Sequence, residues 1–419
     1  MKNLMFHIYN KRSLLVFGVM FASLGYLFSI NLTSIGVIFL LAFWILNFND
    51  LNFGAFLKKT PLHLLLLFFI FLLIGLFYSE DLQQAQKFIT RHLSFILLPI
   101  IFSTLKPFNN KENKVVVKTY IYTTTLFFIV CLLNAIYRQV IFSHQGGPFN
   151  WYFFYRYDFL EIFDQHPTYV SMYVLLSLSF LLYNGKKLFK TNWVPISILF
   201  VQVLSIVLFG SRIGYIILLI LFFIYTHENL RVKSNKKKLK LGLVYLTSII
   251  ILLIASWKIP IVKERIQFTF GYQQDYKYNN QELIKSSTPE EQGRLLLWED
   301  AFELIKERPL FGYGTGSNNK ILYQKYKDKG HLLFLEKKFN THNTYLEVLL
   351  IGGIALLLTY LMLLGALLYQ AIRKRNFVLL SFFLIVSITG LTETLFRAQG
   401  IVFFSFFFCF ILSTKKYNE

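Results

Sequence analysis

At 419 residues, 55% hydrophobic with 47 Phe and a mean hydropathy of +0.51, the chain is more apolar than a soluble domain, which usually runs near 45–50%. The formal charge of +21 would suit a nucleic-acid binder, but the basic residues follow a membrane pattern, so no nucleic acid is expected. Cys131 and Cys409 both lie in apolar runs and give no disulfide or zinc framework.

In chain order, "MKNLMFHIYNKR" leads into a long apolar run without a small-residue cleavage site, so it reads as a retained first span. About twelve apolar spans of roughly 15–25 residues are expected. They lie near 13–30, 33–48, 61–78, 92–105, 115–137, 167–184, 193–209, 213–226, 241–259, 343–368, 377–392 and 396–413. Starting inside, the short loops at 11–12, 58–59, 106–114, 185–190, 231–240, 373–375 and 415–416, with Lys2, hold 22 of the 43 basic residues on one side. This positive-inside bias puts both termini in the cytoplasm and residues 79–91, 138–166 and about 260–342 outside. The expected organisation is an N-terminal transmembrane bundle (1–259), a large outside loop (260–342) and C-terminal transmembrane helices (343–419).

The long loop carries 11 of the 22 acidic residues and is therefore solvated. In "TPEEQGRLLLWEDAFELIKERP", Thr288 is the expected N-cap, with Pro289 at the first helical position and Glu291 three residues after the cap. Leu295, Trp298, Ala301, Phe302 and Ile305 recur at helical spacing, and Pro309 is the stop. "LFGYGTGSNN" is a glycine turn that lacks the strand and G-x-x-x-x-G-K-[ST] spacing of a nucleotide loop. It bends the backbone and brings the loop's helices together. A polar helix near 318–329 follows, with Gly330 as its C-cap. In "THNTYLEVLL", Thr344 and Glu347 fit a capping box, leaving His342 and Asn343 at the water boundary.

Several side chains could carry chemistry. Arg212 in "LFGSRIGY" is either a snorkelling arginine or a fixed cation facing a cavity. Arg294 stands one turn before Trp298, as a surface residue or an anion ligand. His342 exceeds what capping requires, and histidine best exchanges a proton near neutral pH. His166 in "FDQHPTYVSMY" marks an interfacial turn or an imidazole oriented by Asp164. Glu80 and Asp81 either start a helix or hold the cation of a metal-dependent transferase. Glu393 and Arg397, spaced i, i+4, pair with each other or face the cavity of Arg212. Two arginines and a base suit transfer with an anionic leaving group, because guanidinium forks bind phosphate bidentately. Outside the membrane there is no ATP, so the donor must carry its own leaving group, as a lipid-pyrophosphate-linked sugar does.

"GSRIGY", "GRLLLWEDAFELIKERPLFGYGTGS" and "HNTYLEVLLIGGI" resemble, in order and spacing, the motifs of the O-antigen ligase family, the Wzy/WaaL-type polysaccharide ligases and polymerases, over about 195–365. The resemblance implies a GT-C-like, all-α polytopic protein of the bacterial inner membrane with a large periplasmic helical loop. It implies inverting transfer of a glycan from undecaprenyl pyrophosphate to lipid A–core or a related acceptor, without metal or cofactor. It implies His342 as base, with Arg212 and Arg294 as catalytic and substrate-binding residues. Asn343, Trp298, Arg397 and His166 complete the expected substrate-binding set. A polysaccharide polymerase is the alternative; the R-x10-G element of many polymerases is missing at the outside arginines. A transporter should show paired halves or broken helices with polar midplane residues, whereas the polar residues here gather at one face and in one loop.

Overall fold

The structure, a computed structural model, describes residues 11–56, 60–231, 293–396 and 398–414, and is helical with no strand among them. The longer helices are α1 (Lys11–Ala22), α2 (Ile30–Leu46), α3 (Thr60–Ile74), α4 (Leu82–Arg91), α5 (Ser94–Thr104) and α6 (Asn110–His144). The short α7 (Arg156–Leu160) precedes α8 (Pro167–Leu188), α9 (Trp193–Phe209) and α10 (Arg212–Arg231). After the gap come α11 (Arg294–Glu307), α12 (Asn318–Asp328), α13 (Leu332–Glu336), α14 (Thr344–Arg373), α15 (Phe377–Gly390) and α16 (Ala398–Ser413). Every expected span coincides with helix except 241–259, which lies outside the described residues. Among the described residues four helical stretches are long and apolar enough to cross a membrane: Lys11–Phe28, Leu82–Thr104, Asn110–His144 and Thr344–Arg373. The span expected at 92–105 is short only because α4 and α5 run on from one another.

The bundle is built around α8, which is buried along most of its length and packs against α6, α9, α10 and α15. Aromatic side chains fill the core: Tyr26 lies 4.6 Å from Tyr173 and 5.5 Å from Phe403, ring centre to ring centre. Some polar groups inside the bundle are paired across helices. Thr124 donates to Ser177 at 2.8 Å, and the Gln202 amide donates to Ser177 at 2.7 Å, tying α6, α8 and α9 together. Cys131 and Cys409 are buried, as packing residues.

A second, smaller core joins α11, α12 and α13 to the start of α14, through Leu297, Ala301, Leu304, Leu322, Tyr326, Phe334 and Leu346. The expected cap residues Thr288, Pro289 and Glu291 lie outside the described residues, where α11 begins at Arg294. The buried stripe of α11 differs from the one expected. Leu295 and Phe302 are exposed, while Leu297, Asp300, Ala301 and Leu304 face inward. The cause is Asp300: its buried carboxylate meets Lys329 Nζ at 2.9 Å and His331 Nδ1 at 2.8 Å, which turns that face onto α12–α13.

Residues 343–368 read as one continuous span in the sequence, yet α14 is interrupted. Gly352 (φ −135°, ψ 16°) and Gly353 (φ 60°, ψ −158°) leave helical geometry. An unbroken helix would pair the carbonyls of Leu350 and Ile351 with the N–H groups of Ile354 and Ala355. The glycine turn supplies all four missing partners. Tyr313 and Gly314 donate to Leu350 and Ile351 at 2.8 and 3.0 Å, and Ile354 and Ala355 donate to Pro309 and Leu310 at 2.8 and 3.4 Å. The turn then continues onto the end of α3, where Thr315 N–H donates to Gly75 O at 3.1 Å. So the turn does bring the loop helices together, and it also closes a break in a neighbouring helix. Irregular backbone inside an apolar bundle is tolerated where protein buries it.

Candidate functional site

Six chain segments meet at one end of the bundle around a cavity of about 250 Å³: the start of α7, the start of α8, the α9–α10 turn, the start of α11, the approach to α14, and the α15–α16 turn. Its walls include Arg156, Tyr157, His166, Ser211, Arg212, Arg294, His342 and Glu393. A larger cavity, about 360 Å³, lies around Arg12 and Lys106. There Arg12 pairs with Glu112 at 2.8 Å and Lys106 with Asp50 at 3.3 Å, whereas both histidines singled out in the sequence, His166 and His342, line the smaller cavity.

His342 is held in an unusual place. Its φ of 45° is left-handed, a conformation that non-glycine residues keep only where surroundings enforce it. Asn340 Oδ1 accepts from His342 N–H at 3.0 Å, and the Trp298 indole N–H donates to Thr341 O at 3.0 Å. The capping expected of Thr344 and Glu347 is done by Asn343 instead. Its Oδ1 accepts from the N–H groups of Tyr345 and Leu346 at 2.9 and 3.1 Å, because its extended backbone sets that oxygen over the first turn. Thr344 is thereby free to grip the α15–α16 turn, donating to Glu393 O at 2.7 Å and accepting from Leu395 N–H at 2.9 Å. Glu347 is buried and accepts from Asn318 and Thr341.

That grip places Glu393 beside two of the three expected catalytic groups, Arg294 and His342. Asn343 Nδ2 donates to Leu391 O at 3.1 Å and Tyr169 OH to Thr394 O at 2.6 Å, fixing the turn from two more sides. The Glu393 carboxylate meets Arg294 Nη2 at 3.1 Å and His342 Nδ1 at 3.3 Å. Burial alone would raise the carboxyl's pKa, but the hydrogen bond from His342 and the charges of His166, His342 and Arg294 outweigh it and hold it below the ordinary value. An ionised carboxylate only accepts, so His342 Nδ1 carries a proton, and in the neutral ring the lone pair is on Nε2. Nε2 is shielded from solvent and has no hydrogen-bond partner among the described residues.

The other expected residues fall as follows. Arg212 begins α10 and lines the cavity, with Ser211 Oγ accepting from Gly214 N–H at 3.2 Å. His166 lines it as the N-cap of α8. Its Nδ1 accepts from Thr168 N–H at 3.3 Å, so its Nε2–H donates to Tyr157 at 2.9 Å; these groups, rather than Asp164, account for both ring nitrogens. Trp298 and Asn343 do not line the cavity and instead position the His342 segment. Arg397 lies outside the described residues, and with it both alternatives weighed for it, pairing with Glu393 or facing the cavity of Arg212; Glu393 bonds to Arg294. Asp81 Oδ1 caps α4 by accepting from Gln84 N–H at 3.0 Å, and Glu80 stands 3.8 Å from Lys320. Sequence reasoning did not single out Arg156 and Tyr157. Glu393 carried a signal, an acid between two apolar spans, but its partners are remote in sequence.

Comparison with known proteins bears on these residues. Residues 195–361 match the model of the O-antigen ligase family. A relative from Haemophilus influenzae, described as an uncharacterised protein, is 24% identical over 374 residues, 86% of this chain and 84% of that protein. The matched segment contains Arg212, Arg294 and His342. The apolar helices are those of a membrane protein, and residues 195–361 are the part of the chain that is similar to the O-antigen ligase family.

Proposed function

We propose that the protein is a glycosyltransferase of the ligase kind, moving a glycan from undecaprenyl pyrophosphate to a hydroxyl of lipid A–core or a related acceptor, on the periplasmic face of the inner membrane. The observation that carries this reading is the Glu393–His342 pair, with the lone-pair nitrogen unengaged beside two arginines in one cavity. Glu393 holds the tautomer and steadies the imidazolium that forms. His342 Nε2 takes the proton of the acceptor hydroxyl. The oxygen attacks the anomeric carbon from the face opposite the carrier, the bond from that carbon to the pyrophosphate oxygen breaks, and its electron pair leaves with the phosphate. Attack from behind inverts the anomeric centre. Arg212 and Arg294 stabilise the charge that grows on the departing oxygens. No step requires a cofactor.

The break in α14 is the kind of feature that a transporter would use, but it is filled by the glycine turn and is not part of the cavity wall. Transfer therefore accounts for the site better than transport does.

The test is the lipopolysaccharide profile of cells lacking the gene, restored with wild type or His342→Ala. Ligase activity predicts loss of capped species in the deletion, accumulation of long glycan on its carrier, and no rescue by the variant, with normal membrane levels. Single repeats still joined to the core would indicate a polymerase. Full rescue by His342→Ala would remove the histidine from the chemistry. In a purified assay the variant should be slower by about 10²–10⁴-fold, the usual contribution of a general base.

A further inference from the structure

The chain that leads into the cavity wall is rich in aromatic rings. "GPFNWYFFYRY", residues 147–157, ends in Arg156 and Tyr157, both of which line the cavity. Part of this segment turns inward. Phe153 packs 5.7 Å from Phe142, with the Arg138 guanidinium carbon 4.5 Å from its ring centre, and Tyr155 is buried. Phe149, Trp151 and Tyr152 turn outward, each at least half exposed. Phe149 lies 4.8 Å from Trp151, ring centre to ring centre, and stacks on Phe154 at 5.5 Å. Asn150 holds these rings in place. Its N–H donates to Oε1 of the buried Gln139 at 2.8 Å, and its Oδ1 accepts from Tyr152 N–H at 3.0 Å.

Position and size decide what such rings meet. Counted from Val115, its first apolar residue, α6 has crossed a bilayer by about residue 135, since about 20 residues suffice. Arg138 and Gln139 follow, and the loop after His144 lies further out. The turn Trp151–Phe154 packs against α7, and the chain from Trp151 to Tyr157 reaches at most about 20 Å, so the exposed rings adjoin the cavity. The cavity itself, about 250 Å³, is smaller than the roughly 300–1,000 Å³ that encloses a drug-sized ligand. A glycan of several sugars therefore has to run out over its rim. Sugar rings are polar at their edges but present C–H faces, which rest on the electron-rich face of an aromatic ring. A headgroup anchor would need no connection to the cavity, whereas these rings share a segment with its wall. We propose that Phe149, Trp151 and Tyr152 form a glycan-binding platform, on which the part of a substrate glycan that the cavity cannot hold is laid. This inference rests on the glycosyl-transfer reading and adds the surface that would recognise the sugar chain.

The experiment replaces Trp151 by the photo-crosslinker p-benzoylphenylalanine in the full chain, expressed in the deletion strain, and does the same at Phe200, an exposed ring on the apolar α9. After irradiation of whole cells the protein is purified and its adducts are identified by mass. The expected result is a sugar-bearing adduct at 151 and phospholipid alone at 200. Repeat-unit sugars would name the donor glycan and core sugars the acceptor; either supports the platform. Phospholipid alone at 151 would make the rings a membrane anchor and overturn the inference, as would a protein adduct or none at 151 while 200 is labelled. In nanodiscs, the polysaccharide released from the cells' lipopolysaccharide by mild acid should bind Trp151→Ala about threefold to tenfold more weakly than wild type. Trp151→Phe should keep most of the binding, and both variants should keep the wild-type melting temperature. Equal binding by wild type and Trp151→Ala would also overturn the platform. Wild-type protein that restores capped lipopolysaccharide while 151 gives no sugar adduct would overturn the platform alone. A deletion that leaves the lipopolysaccharide profile unchanged would overturn the transfer reading and this inference with it.

Discussion

At the scale of single residues, the site depends on one carboxylate serving two partners. Glu393→Gln keeps the volume and removes the charge that fixes the His342 tautomer, so kcat should fall by about 10²-fold with KM little changed. Equal loss in both parameters from a well-folded variant would argue for substrate binding instead. The same carboxyl links stability to acid. Its folded pKa is depressed, so its contribution is fully present above the unfolded value of about 4.3 and is lost as pH falls through the folded value. The melting-temperature gap between wild type and Glu393→Gln should therefore be wide near about pH 7 and close towards about pH 3; a gap independent of pH would contradict the charge-based role. Arg294→Lys should be strongly impaired in transfer, by about tenfold or more, since an ammonium cannot copy the fork, and full activity would remove the assignment. Arg212 and His342 were legible in the sequence because charged or titratable types at the edges of apolar spans need a reason to be there, and Arg294 by its place one turn before Trp298. The partnership of Glu393 was not. Its nearest cation in sequence is Arg397, whereas the bonds that aim it come from Thr344 and Tyr169, 49 and 225 residues from their acceptors.

Among the elements, the helices themselves were readable from hydropathy, and the start of α14 from capping chemistry to within a residue. The break in α14 was not. "LLIGGIALLL" is apolar throughout, and two glycines in such a run say little without the turn at 309–314 that completes the backbone pairing. Gly353 is required there. Its backbone lies in a region kept almost entirely for glycine, and a Cβ would fall 2.3 Å from the Leu310 carbonyl carbon. Gly353→Ala should cost more than the roughly 1–3 kcal/mol of backbone strain alone and yield little monodisperse protein after extraction in detergent. Wild-type yield and melting temperature would show that the pairing is dispensable. Trp298 acts at the same scale, tying α11 to the His342 segment through a single N–H. Trp298→Phe leaves Thr341 O without that donor, at a cost of about 1–3 kcal/mol if the carbonyl stays buried. Its activity should drop while membrane insertion is normal.

Across the whole molecule, the cavity lies where α8, α10, α11 and α14 begin and α9 and α15 end, so the side of the membrane it faces follows from the orientation of a few helices. From the basic short loops and the positive-inside rule we propose that this side is the periplasm. The two native cysteines make the assignment easy to test, because Cys131 and Cys409 are both 0% exposed and should give no background with a thiol reagent. Phe149 precedes α7 on the cavity side and is 55% exposed. Lys190 is exposed just after α8, at that helix's far end. In intact spheroplasts, a membrane-impermeant maleimide should label Phe149→Cys at once and Lys190→Cys only after lysis. The reverse order would put the cavity on the cytoplasmic side, where a periplasmic acceptor could not reach it. Equal labelling before lysis would mean that α8 does not separate two aqueous compartments, and the positive-inside reading would lose its physical basis.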